Sequence, residues 1–174
     1  NAGPWYVEGI KEELTQPGEW VHSVADKKIY LWPNSSITSG DERQQKVVAA
    51  SLEQIIAVRG NQTHPVRNVL IQGFQLQHSA SHYTGPYPTC GGGDFCAART
   101  GTVVISGAEN VSLSGLDLDY PGGNGIAIID YARDVEVSGC SLRYVGEVGF
   151  VVQGQTNGID ATAGNYPIGT RIHH

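Results

Sequence analysis

Apolar and polar residues alternate along residues 102–120, and the same alternation returns along residues 126–144 at an offset of 24. This register pairs Asn110 with Asp134, Val111 with Val135, Leu113 with Val137, Gly115 with Gly139, Leu118 with Leu142 and Tyr120 with Tyr144. A looser copy runs through residues 68–78. Period-two alternation marks a strand with one face buried. Gly115 and Gly139 interrupt it where the chain must bend between strands. A repeat of this length with three short alternating segments predicts an all-β solenoid, a parallel β-helix of about 24 residues per coil. Phe74, Leu116 and Cys140 are then expected to stack, as are Leu76, Leu118 and Leu142, and His78, Tyr120 and Tyr144.

The first 65 residues are less regular, and they are read as an N-terminal, β-rich elaboration of the solenoid. A short helix is expected over 9–14 and a strand over 28–32, with a further strand at 45–50; residues 51–58 fit strand or helix. Residues 66–174 are assigned to the coils, with loop insertions at 79–100 and 154–168. Residues 169–174 look like the opening of a further coil, so a longer polypeptide truncated at its C-terminus is expected.

On one strand of the repeat both faces read apolar. Val104, Ile128 and Val152 are assigned to one side, and Val103, Ile105, Ala127, Ile129 and Val151 to the other. A strand facing water carries polar residues outside, so the second set is expected to meet another subunit or a further domain.

Composition narrows the partners. A net charge of -6 opposes nucleic acid, which demands clustered Lys and Arg. No apolar run approaches the ~18 residues of a membrane helix. Charged residues are only 16% of the chain and there are 23 glycines, a mixture that suits turns and strands. Sequons at Asn34, Asn61 and Asn110 point to N-glycosylation and an extracellular or cell-surface location. Asn110 shares a repeated turn position with Asn68 and Asp134, where the alternative role is bonding the backbone. Cys90 and Cys96 bracket a glycine-rich stretch that a local disulfide suits, with free thiols as the alternative; Cys140 falls at a core position.

Residues 6–14, 17–20, 28–33, 66–79, 99–104, 123–125, 145–146 and 164–171 together resemble right-handed parallel β-helix proteins of the pectin-lyase-like class. That group includes fucosidase- and xylanase-type glycoside hydrolases. The resemblance spans nearly the whole chain and implies a right-handed coil and carbohydrate chemistry. It also implies an acidic residue at the position of Glu147 and an Asp- and Gly-rich segment around Asp160. Relatives tend to carry Asp where this chain has Gly122, which puts activity in question.

Glycoside hydrolysis uses two carboxyl groups about 5–5.5 Å apart for retention or about 6.5–9.5 Å for inversion. Glu147 and Asp160, with Asp130 as a further acid, are the favoured loop candidates, and Asp119 stands in reserve. Gln75, Gln77, Asp117 and Arg143 make a polar ladder able to bond sugar hydroxyls; the alternative is a solvated face with an Asp119–Arg143 pair. His78 and His82 would pair on a metal only on a helix, so no metal and no cofactor is expected. The functional expectation is an extracellular carbohydrate-active protein, a glycoside hydrolase acting on a polysaccharide. Its alternative is a non-enzymatic structural subunit of a glycosylated coat or filament.

Overall fold

The structure is a computed structural model that describes residues 9–33, 48–82, 98–154 and 163–174. The chain divides into two compact units, Asn1–Val47 and Val48–His174. In the first, a single 3-10 turn at Lys11–Glu13 precedes an antiparallel hairpin of β1 (Trp20–Ser23) and β2 (Lys28–Leu31). Asp26 closes the hairpin loop. Its carboxylate accepts from the hydroxyls of Ser23 at 2.9 Å and Tyr30 at 3.0 Å. These bonds, Ser23 first, hold the carboxyl below its ordinary range. Of the strand expected at 45–50, residues 45–47 lie outside the described residues and 48–50 are not strand.

The second unit carries β3 (Ile56–Arg59), β4 (Val66–Gln72), β5 (Gln75–Ser79), β6 (Val103–Ser114), β7 (Asp117–Pro121), β8 (Ile126–Ser138), β9 (Ser141–Arg143), β10 (Phe150–Gln153), β11 (Pro167–Ile168) and β12 (Arg171–His173). One parallel sheet runs β10-β8-β6-β3, with β4 beside β6 and β11 and β12 beside β8; a second parallel sheet runs β5-β7-β9. The two share one hydrophobic core, built from Val103, Ile105, Leu113, Ile126, Ile128 and Val137 on one side and Leu76, Leu116 and Leu118 on the other.

The parallel β-helix expected from the repeat, and its right-handed form implied by the resemblance, are corrected here. The described sheets are separate, one antiparallel and two parallel, and among the described residues no coil closes into a solenoid. The physical reason lies in strand length. β6 and β8 run 12 and 13 residues, with Gly107 and Asp130 inside them at positive φ. The two middle repeats, β6 with β7 and β8 with β9, are therefore each one long strand and one short strand, whereas the looser first copy keeps three short ones, β3, β4 and β5.

The apolar outer face also needs correction. In β6 and β8, Val103 pairs with Ile126 and Ile105 with Ile128, an offset of 23, whereas Val111 pairs with Val135 at 24. A bulge supplies the difference: Ser106 pairs with Ile129 and Ala108 with Ala132, so two residues of β8 oppose Gly107. A slip of one residue turns a side chain to the other face. Val103 and Ile105 thus belong to the main core, while Val104, Ala127, Ile129 and Val151 form a second cluster. All five residues assigned to an external contact are buried within this chain, at 5% exposure or less. No helix among the described residues is long and apolar enough to cross a membrane.

Candidate glycan-binding face

The short parallel sheet places its polar residues in register. Gln75, Asp117 and Ser141 form one row, and Gln77, Asp119 and Arg143 the next. Between the rows Leu76 pairs with Leu118 and Leu118 with Leu142, so alternation sends the leucines to the core and the polar residues outward. Arg143 ties the carboxylates together. Its guanidinium lies 3.0 Å from Asp117 and 3.5 Å from Asp119, and it also donates to Ser141 Oγ at 3.1 Å. The Asp117 hydrogen bond, then the charge of Asp117, raises the Arg143 pKa.

The next residue along each strand is aromatic. His78 and Tyr120 stack with centroids 5.5 Å apart and planes at 14°; Tyr120 and Tyr144 stack at 4.6 Å and 10°. All three have positive φ, 56°, 55° and 52°, a conformation that side chains with a Cβ rarely adopt. The same turn recurs at two further columns, Asn68, Asn110 and Asp134, and Gly73, Gly115 and Gly139. Left-handed corners in register hold like side chains over one another, and they deliver the rings as an exposed column, with Tyr144 69% exposed.

Glu147 sits elsewhere, against a buried histidine. His82 Nδ1 faces its Oε2 at 3.5 Å, and the Asn124 N–H donates to His82 Nε2 at 2.8 Å. An acceptor at Nε2 puts the ring proton on Nδ1, pointing at the carboxylate. Asn124 is fully buried and saturated. Its amide donates to the carbonyls of Ala98 at 2.9 Å and Thr100 at 3.0 Å, and its Oδ1 accepts from the Val148 N–H at 3.2 Å. Glycines make room for this network, since a Cβ on Gly123 would overlap the His82 ring. A side chain at Gly122 would run into the backbone of Ser79 and Ser81, so the carboxylate that the resemblance implies there has no space.

The remaining candidates separate. Asp160, Asn34, Cys90 and Cys96 lie outside the described residues. Asp130 is a half-buried residue of the β8 bulge, paired with Arg99 and bonded by Ser106 Oγ at 3.0 Å. Asn61 lies in an exposed turn, where its Oδ1 accepts from the N–H groups of Thr63 and His64 and from the Thr63 hydroxyl. Asn110 instead donates its Nδ2 to Asn68 Oδ1 at 2.7 Å, a side-chain ladder between adjacent strands. Cys140 packs beside the core, its thiol directed at the carbonyls of Leu113 and Ser138. Phe74 keeps its place in the ladder, since the Asp117 N–H donates to its carbonyl, but its ring is exposed.

Sequence reasoning passed over Asn124, Arg99 and the partnership of His82 with Glu147. Asn124 had a usable signal, an amide enclosed by glycines on both sides. His82 had none, being 42 residues away along the chain. Comparison with family models, with curated proteins and with solved structures returns no match to this chain.

Proposed function

We propose that this is an extracellular glycan-binding protein whose ligand lies on the outward face of β5, β7 and β9. The observation that carries the reading is the juxtaposition of two in-register polar rows with the aromatic column His78, Tyr120 and Tyr144. Amides, carboxylates and a guanidinium in fixed rows exchange hydrogen bonds with ring hydroxyls, while an exposed ring edge or face covers the apolar C–H surface of a sugar. Two carboxylates against one guanidinium leave the rows net negative, which favours a neutral polysaccharide over a polyuronate.

Hydrolysis is the second reading, favoured by Glu147, a half-buried carboxylate beside the buried His82. In that reading Glu147 works with Asp160, and Asp119 serves as the reserve carboxylate. A coat or filament role loses the apolar surface it relied on, because those side chains are covered within the chain.

Affinity electrophoresis in soluble neutral polysaccharides tests the binding reading. Retardation that disappears in Tyr120→Ala and Asp119→Asn supports it; unchanged mobility of the native protein in every neutral polymer refutes it. Release of reducing ends that stops in Glu147→Gln would promote hydrolysis to the first reading.

A further inference from the structure

Apart from the sheet face, the described residues line an open cleft of about 360 Å³ beside the β6–β8 bulge. That volume lies within the ~300–1,000 Å³ typical of small-molecule sites. Gly60 and Gly107 form part of its lining, and a Cβ on either would overlap the backbone of the other glycine. The opening therefore depends on two glycines in contact, with Gly107 at φ 61°. Opposite Gly107 the extra residue of the bulge brings Asp130 to the cleft at φ 57°, a strained geometry for a residue with a Cβ.

The lining chemistry selects the ligand. Asn61, Gln62 and Asn165 contribute amides, Thr63 and Ser106 hydroxyls, and the buried Tyr131 an aromatic wall. Asp130 is the sole charged side chain among the described residues that line it, and Arg99 matches its charge. A cation finds no unmatched carboxylate here, and an anion meets a carboxylate instead of a guanidinium. Paired donors and acceptors around one aromatic wall suit a neutral polyhydroxylated ring.

We propose that this cleft is a second site, binding one neutral sugar ring between the Asn61 turn, the Ser106–Gly107 backbone and Asn165. It shares no residue with the sheet face and does not rest on that assignment. No bond is made or broken in this step.

Amide NMR titration of the intact chain with methyl glucoside, methyl xyloside, methyl fucoside and methyl galactoside, each at tens of millimolar, tests it. Glucuronate and glucosamine serve as charged comparisons. The expected result is shifts at residues 60–63, 106–107, 130–131 and 165 with at least one neutral sugar. Ser106→Ala and Asn165→Ala should each weaken that binding about fivefold to tenfold, the loss of one hydrogen bond. Tyr120→Ala should leave it unchanged. Asn165→Ala, made at a half-buried loop residue, keeps the test open if Ser106→Ala fails to fold. Absence of shifts with all four neutral sugars, or equal binding of the charged ones, overturns the proposal. Polysaccharide retardation without cleft shifts would sink this site and leave the sheet face standing; cleft shifts without retardation would do the reverse.

Discussion

The two parallel sheets of the second unit come from the same repeats yet treat their outer faces in opposite ways. The β5-β7-β9 sheet buries Leu76, Leu118 and, in part, Leu142, and turns Gln77, Asp119 and Arg143 outward. Around the β6–β8 pairing, by contrast, Val103 and Ile126 enter the main core while Val104 and Ala127 enter a second apolar cluster. A parallel sheet normally has both faces covered. The short sheet departs from that habit, and the departure falls where its exposed face is polar, aromatic-edged and in register. Coverage removes a surface from recognition, whereas the short sheet leaves its ordered polar rows turned outward.

The strongest test of this contrast is truncation on the buried side of the short sheet. Leu118 is fully buried in the shared core, so Leu118→Ala should cost about 3 kcal/mol in urea unfolding. Gln77→Ala, on the exposed side of the adjacent strand, should stay within ~0.5 kcal/mol. Next comes the covered face of the long sheet. Ile129 is 2% exposed, and Ile129→Ala should cost about 2–3 kcal/mol in the same measurement. A cost within ~0.5 kcal/mol would mean that this face is open in solution, and the contrast would fail.

These residues also show what the sequence could reveal. The offset of 24 places Leu118 against Leu142 and Tyr120 against Tyr144 correctly, because no insertion falls between residues 108 and 121 of one copy and their partners in the next. It misplaces Val103 and Ile105, because one additional residue at the β8 bulge shortens the offset to 23 on its N-terminal side. A bulge leaves the alternation intact on either side, so pattern alone does not expose it. Strand length was hidden for a related reason. Gly107 takes φ 61°, and the strand continues through it. The polar ladder was legible because it follows directly from alternation. The left-handed column of His78, Tyr120 and Tyr144 was legible as a stack, though not as a set of corners, since aromatic residues carry no preference for positive φ. The Asn124–His82–Glu147 network depends on loops meeting in space, which no periodicity encodes.

A smaller effect concerns ligand affinity. Tyr120 stacks between two rings, and Tyr120→Ala removes the middle of the column. Polysaccharide affinity should fall about tenfold, as expected for a lost aromatic contact worth about 1 kcal/mol or slightly more. Ile129→Ala, if folded, should leave that affinity unchanged, which separates the two sheets by function as well as stability.

The smallest effect lies on the long sheet's polar margin. The hydrogen bond from Arg67 at 2.7 Å, then that from Tyr131 at 2.5 Å, holds the Glu109 carboxyl below its ordinary value of 4.5. A carboxyl lowered on folding contributes stability that is fully present above its unfolded pKa and is lost as pH falls through the lowered folded value. Denaturation followed from neutral pH into that acid window should show a shallower loss of stability in Glu109→Gln than in the native chain. Equal slopes would remove this pairing from the account.

Amide NMR mapping with a soluble neutral oligosaccharide of about six residues reads most directly whether the outward rows of the short sheet hold a glycan, as proposed. Shifts concentrated at Gln75, Gln77, Asp117, Asp119, Tyr120, Arg143 and Tyr144, lost together in Tyr120→Ala, are the expected result. Shifts that spare these residues, or none with any neutral oligosaccharide, would contradict it.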